Sequence, residues 1–535
     1  MKIAQLSIPI VLAGSSLGAY VQNPILILPP SAAANRNAVK KIFTDSYGAY
    51  RQYAWGHDDL DPISKSYSDS RNGWGASIVD AMSTMYIMGL NDWFVEAVNY
   101  TKTIDFSKSK TADDVSVFET TIRYVGGLLS AYELSGGAYP HLVTKAKEVA
   151  DKMVYAWIGN NDVPYGHMDF STNAPAYKGT SNIAEAGTLL LEWGTLSKYT
   201  GNYTYGNLTL KSLRRIATQP APLPGLAAQG IDPATGNSLG GYVTWGGGSD
   251  SYFEYLIKFA RLSNSADKLY ADTWHTAVDS SIKTLLKKST VGNWSYLADY
   301  DGSRQIRYQS SHLACFHGGN WLFGGKLLNN ATIVSIGLDL VDACWNTYAG
   351  TETGIGPEGF AFAAPEGNYT GTPITAEQET FYKQKGFYVT SGYYILRPEV
   401  LESNFYAWRV TGNPKYLDRA AKAVAAFNKY LNTGSGYAGL VDVNDGTSKV
   451  DDTESFWFAE VLKYLYLTFD DPNHINIDQW VFNTEAHPFR APPPLFQYGS
   501  ATVLPPWGPF HPVSGAALPD ISPAAKLPGK PAPTA

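Results

Sequence analysis

The chain has 535 residues, 17% of them charged and 44% apolar, with a formal net charge of −7. That length and apolar share suffice for a large buried core. No basic run of the kind that nucleic acid or an anionic lipid surface would need is present, so neither is expected as a partner.

In chain order, residues 1–19 read as a secretory signal: Lys2, an apolar stretch, then small residues before Tyr20. Gln5, Ser7 and the small residues at 14–16 cut the apolar run short of the ~20 residues that a membrane span requires. The mature chain is therefore expected to be secreted, or else to lie in the secretory-pathway or vacuolar lumen. From residue 36 onward two kinds of helical segment alternate. One kind is apolar all round and rich in small residues: 74–90, 119–134, 183–199, 250–262, 312–325, 399–411 and 454–469. The other keeps a polar, Lys-containing face: 36–54, 91–102, 141–157, 203–217, 266–288, 331–348 and 413–431. Seven fully apolar helices alternating with seven amphipathic ones predict a double-layered, all-α barrel over residues 36–490. A superhelical solenoid would show a shorter, more regular period. From 491 to 535 Pro, Gly and Ala dominate, and a flexible tail is expected.

Ionisable residues cluster at the starts of the apolar helices: Glu119, Glu185, Asp250, His312, Arg397, Glu399, Glu402 and Glu454. An acid in a first helical turn often only complements the helix dipole. Here nearly every apolar helix carries one. In an alternating barrel the apolar helices run the same way, so these first turns meet at one mouth. Like charges gathered there cost stability unless they bind something. Paired carboxylates that act on acetal bonds do so by glycoside hydrolysis, one protonating the leaving oxygen while the other activates water or attacks. The abundant tyrosine and tryptophan, 36 and 14 residues, suit sugar faces, although most serve as core.

Eight motifs, in order, resemble glycoside hydrolase family 47, the class I α-1,2-mannosidases: "AWGHDDLDPIS", "GWGASIVDAMSTMYIMGL", "FETTIRYVGGLLSAY", "AEAGTLLLEW", "DSYFEYLIK", "LRPEVLESNFY", "ESFWFAEVLKYLYLTF" and "VFNTEAHPF". The likeness is greatest to the secreted fungal members. It implies an (α/α)7 barrel plugged by a C-terminal segment. It also implies an inverting exo-hydrolase that removes terminal α-1,2-linked mannose from high-mannose N-glycans and acts as a monomer. The alternative within the resemblance is a lectin-like relative that binds mannose with little hydrolysis. Glu399 matches the general base, and the acid matches either Glu119, acting through a water, or Asp250, with Glu119 preferred. Arg123, Glu185, His312, Arg397, Glu402, Glu454 and Glu485 match residues lining the mannose subsite. Thr484, in the knot "NTE", matches a Ca²⁺ ligand through its carbonyl and hydroxyl oxygens. Gly248 stands where single-mannose-trimming members carry arginine, which implies broad trimming of several branches. Asp59, Thr453 and Trp457 depart from the family's usual residues and touch no catalytic position.

Two further expectations concern covalent chemistry. Cys315 and Cys344, the only cysteines, should form a disulfide in an oxidising compartment, as the resemblance also implies. Asn99, Asn202, Asn207, Asn293, Asn330 and Asn368 head glycosylation triplets.

Overall fold

The computed structural model describes residues 18–511 and residue 513. Seven helical stretches form an inner ring: Ala76–Ile87, 117–134, 183–200, Asp250–Ser263, 313–327, Glu399–Thr411 and 457–469. Each packs against the next in that order, and the last returns to the first, so the ring closes. Outside it lie Ser31–Tyr53, Asn91–Thr101, His141–Met153, Thr204–Ala217, Leu269–Thr284, Ala331–Ala349 and Lys415–Tyr430. The protein is an (α/α)7 barrel. Every expected helix is present, with ends displaced by five residues at most.

The two layers differ as their sequences require. In Ala76–Ile87 every residue except Tyr86 is buried, because this helix has neighbours on all sides. Lys415–Tyr430 buries Tyr416, Leu417, Ala420, Ala423, Val424 and Phe427, a single stripe at helical spacing, and wets the rest. One further helix, Ala376–Lys385, lies in a stretch to which the sequence analysis assigned no element. Thr375 and Gln378 close a capping box at its start. Its only buried residue is Tyr382, so it lacks the apolar stripe by which the others are recognised.

Short strand pairs crowd the end of the barrel where the inner helices begin. Val115–Ser116 pairs with His167–Asp169, and Ser181–Asn182 with Gly230–Asp232. The opposite end is closed by a hairpin in which Trp480–Phe482 pairs with Pro488–Arg490. Its turn, 483–487, reaches up into the ring. Arg261 and Arg409, at the C-terminal ends of two inner helices, donate to carbonyls beside this hairpin: Arg261 to Asp478 and Pro492, Arg409 to Leu467, Pro472 and Ile475. A cation at a helix C-terminus complements the dipole while satisfying those carbonyls.

Cys315 and Cys344 are disulfide-bonded and tie an inner helix start to the outer helix Ala331–Ala349. Asn99, Asn202, Asn207, Asn293 and Asn368 are exposed, whereas Asn330 is half-buried and caps the helix that follows it.

Two of the expected boundaries fall on described residues. Gly18 and Ala19, assigned to the leader, are packed in the fold: Ala19 donates its N–H to the Leu495 carbonyl at 2.7 Å and is buried. Residues 1–17 of that expected leader lie outside the described residues. The segment 491–511, expected to be flexible, is held along the outer layer. Ser500 N–H donates to Asp272 at 2.6 Å and Leu504 N–H to Thr276 at 2.8 Å. Proline removes ladder donors but leaves intervening amides free to find side-chain acceptors. Residues 514–535 of the expected tail lie outside the described residues.

Candidate active site

A cavity open to solvent sits in the mouth of the ring. Two local caps set its wall. The Ser116 side chain accepts from the Glu119 N–H, and the Asn182 side chain from the Glu185 N–H, so each strand turns into its helix three residues before a glutamate. In an ordinary capping box that glutamate would fold back onto the helix terminus. Glu119 instead turns to Arg123, whose Nε donates to its Oε2 at 2.8 Å, while Arg71 stands 3.4 Å from the same oxygen.

Arg71 is fixed from behind by Asp58, which accepts from the backbone N–H groups of Arg71, Gly73, Gly75 and Ala76. Arg123 is equally committed: it also donates to Ser455 at 3.1 Å and to Glu485. The helix around it opens into a wider turn over Thr120–Val125, and a similar one occurs at Trp457–Val461. Such turns add a residue to the helical repeat and re-aim the side chains they carry, here Arg123 and Glu460.

Across the cavity, Glu399 has a different setting. His312 Nδ1 lies 2.6 Å from its Oε2, with His312 Nε2 in turn 2.8 Å from the Tyr348 hydroxyl. Arg397 stands 3.7 Å from Oε1 and donates to Glu358 at 2.6 Å. Burial would raise the Glu399 pKa, but His312 and Arg397 outweigh it and hold the carboxyl below its ordinary value. For Asp250 the cation Arg397 is the smallest of the influences. Burial pushes the Asp250 pKa up to about 7, with Glu254 and Glu399 adding to the rise. Two carboxyls on one cavity are thus driven apart, one towards the anion and one towards the acid.

The knot 483–487 is built to present Thr484. Asn483 accepts from the Glu485 and His487 N–H groups and donates to the Ile122 carbonyl and to Glu192. Glu192 also accepts from Tyr255 at 2.5 Å, and the Tyr255 hydroxyl accepts from the Thr484 N–H at 3.3 Å. Lys463 donates to the carbonyl of Ala486, whose φ of 56° puts it in the left-handed region.

Of the residues expected at the site, Glu119, Arg123, Glu185, Gly248, Asp250, Arg397, Glu399, Glu402, Thr484 and Glu485 line this one cavity. His312 and Glu454 do not. His312 stands behind Glu399, and Glu454 stands behind Arg71 at 3.7 Å, so both support the wall rather than form it. Gly248 adopts φ 81° and its carbonyl accepts from Ala184 N–H, so it serves a tight turn as well as leaving the wall bare. Sequence reasoning missed Arg71, Glu254 and Glu460, which also line the cavity. The signal for Glu460 was present: an acid inside the otherwise apolar run "FWFAEVL" has no solvent to face.

The wall carries eight carboxyl groups against the guanidinium groups of Arg71, Arg123 and Arg397. Burial raises Glu402 to about 8, and its Glu254 and Glu399 neighbours add to this while Lys258 opposes it. Glu460 and Glu485 are raised well above the ordinary value, again by burial first and then by other carboxylates. Among the described residues no group of three or more His, Cys, Asp or Glu converges on a point as metal ligands. The donor set is nonetheless all oxygen, with an excess of negative charge around Thr484. It fits a hard divalent cation held through Thr484 and water better than one caged directly by carboxylates.

Comparison with known proteins agrees with this site. Residues 42–491 match the model of glycosyl hydrolase family 47. Over 517 residues the chain is 42% identical to a protein of Aspergillus clavatus named "Probable mannosyl-oligosaccharide alpha-1,2-mannosidase 1B", covering 92% of this chain and 99% of that one. It is 40% identical to the "Mannosyl-oligosaccharide alpha-1,2-mannosidase 1B" of Aspergillus phoenicis, across 85% of this chain and 91% of the relative. Among solved structures, it matches the alpha-1,2-mannosidase from Trichoderma reesei with a TM-score of 0.82 and 37% identity, over 86% of this chain and 99% of that one.

Proposed function

The chain belongs to glycosyl hydrolase family 47, and from that premise we propose that it is an inverting exo-α-1,2-mannosidase acting on high-mannose N-glycans. The observation that carries this reading is the opposed pair on one cavity: Glu399 held as the anion by His312 and Arg397, and Asp250 held as the acid by burial.

In this reading Glu399 takes a proton from the attacking water while Asp250 protonates the departing glycosidic oxygen. Glu119 was preferred as the donor from the resemblance. Its carboxylate is held between Arg123 and Arg71, which orients it for hydrogen bonding to sugar hydroxyls. Asp250, raised to about 7 by burial, is the group that keeps a proton to give. Glu402, Glu460 and Glu485 supply further acceptors to a buried sugar ring. A Ca²⁺ ion bound at Thr484 would add fixed positive charge to orient sugar hydroxyls and water. Export fits the disulfide and the exposed glycosylation triplets, and among the described residues no helix is long and apolar enough to cross a membrane.

Digestion of a nine-mannose glycan followed by proton NMR tests the reading. Attack by a separate water requires inversion, so β-mannose should appear first and mutarotate later. Initial α-mannose would remove Glu399 from the role of base, and no mannose at all would leave only binding.

Gly248 bears on how far trimming proceeds. With no side chain there, no contact singles out one branch, and all four α-1,2-linked mannoses should be released. Gly248→Arg places a planar, multiply donating cation at the cavity wall and should slow some branches more than others. Because φ is 81°, the variant should also lose about 1–2 kcal/mol of stability to left-handed strain. A mass-spectrometric time course and a melting curve separate these effects. A wild type that stops cleanly after one mannose contradicts the proposal.

A further inference from the structure

A branched glycan is larger than the cavity that would take its ends, so the rim's exposed aromatic groups matter. Tyr177 is 46% exposed, yet its ring is held in place. It stacks on His167 with centroids 5.4 Å apart and planes 25° from parallel, and its hydroxyl hydrogen-bonds with His167 Nδ1 at 2.8 Å. Burial pushes the His167 pKa below its ordinary value, so the imidazole is neutral at neutral pH. The backbone at Gly179 passes so close that a Cβ would stand 2.8 Å from the Tyr177 ring, and no side chain there covers it.

The position of this pair is fixed by its neighbours. His167 lies directly opposite Ser116, the residue that caps the helix of Glu119. Gly166, beside it, packs against Glu185 so tightly that a Cβ would be 2.8 Å from Oε2. The pair is thereby tied to the helix starts that carry Glu119 and Glu185, and Tyr177 is not among the residues that line the cavity. A solvent-exposed aromatic ring costs free energy, and here the stacking and the hydroxyl contact hold that ring in place. The C–H-rich faces of a pyranose complement the negative face of an aromatic ring.

We propose that Tyr177, braced by His167, is a stacking platform for a mannose ring beyond the two that the scissile bond joins, a subsite on the rim that the cavity does not contain. The proposal rests on the mannosidase reading, since it names the same substrate class. The hydroxyl of Tyr177 is spent on His167, so the contact is made by the ring, and phenylalanine should replace it.

The test compares a nine-mannose glycan with α-1,2-mannobiose, which is too short to reach the rim. Wild-type release of mannose from both checks the functional reading by itself. Tyr177→Ala should lower kcat/KM on the glycan about five- to tenfold more than on the disaccharide, chiefly through KM, as expected for one lost ring-stacking contact. Tyr177→Phe should recover most of that loss. Tyr203→Ala, a 71% exposed tyrosine beside an outer helix start at the far end of the barrel, should match wild type. Calorimetric binding of the glycan to a Glu399→Gln protein, with and without Tyr177→Ala, reads the same contact without turnover. Equal losses on both substrates, or no loss on either, would overturn the platform.

Discussion

Glu399→Gln should lower kcat on a nine-mannose glycan by roughly 10²–10⁴-fold, the usual contribution of a positioned general base, with the melting temperature changed little. Glutamine keeps the volume and can still meet His312 and Arg397, but it cannot accept a proton from water. Asp250→Asn should also be severe, and its effect should differ with pH. The acid must be protonated to work, so wild-type kcat/KM should fall as pH rises through about 7, the value to which burial brings Asp250. At low pH activity should persist until Glu399 takes up a proton, which its histidine and arginine neighbours defer to below the ordinary glutamate range. If the alkaline limb survives in Asp250→Asn, the proton donor lies elsewhere, and Glu119 is then the candidate.

Much of this architecture was legible in the sequence because the barrel asks for two very different helix surfaces. A helix like Ala76–Ile87 has no wet face, and one like Lys415–Tyr430 has a single dry stripe, so their alternation could be counted before any contact was known. The crowding of acids in the inner helices' first turns followed from the same count. What could not be read was the division of labour among those acids. Asp250 and Glu399 occupy equivalent helix starts, and they differ through His312, which is 87 residues from Glu399 in sequence. Helical periodicity likewise could not anticipate the widened turns at Thr120–Val125 and Trp457–Val461, since each breaks the repeat by which a side chain's direction is inferred. Arg71 was missed because it sits in a loop whose shape is set by Asp58 and has no period of its own. Nothing in the pattern of "NTE" alone suggested a cation; that came from the resemblance.

Exhaustive chelation should abolish turnover and lower the melting temperature together. The cavity wall holds far more carboxyl than guanidinium groups, and Glu402, Glu460 and Glu485 are each pushed towards the neutral form by burial and by neighbouring carboxylates. A divalent cation near Thr484 would offset that repulsion, and an ion bound only by the folded chain stabilises it by about 2.7 kcal/mol at a hundredfold excess over Kd. Thr484→Val separates the hydroxyl from the carbonyl. The backbone stays, Tyr255 can still accept from the residue's N–H, and the barrel should remain folded, but one oxygen ligand is lost. Calcium titration followed by melting temperature should then show a weaker midpoint for Thr484→Val than for the wild type, with activity recovering at higher calcium. Tyr255→Phe and Asn483→Ala should shift the midpoint in the same direction without removing a ligand, because both hold the knot in place from behind. A wild type that keeps full activity and an unchanged melting curve after chelation would take the metal out of the mechanism, leaving Thr484 only a hydroxyl for the sugar.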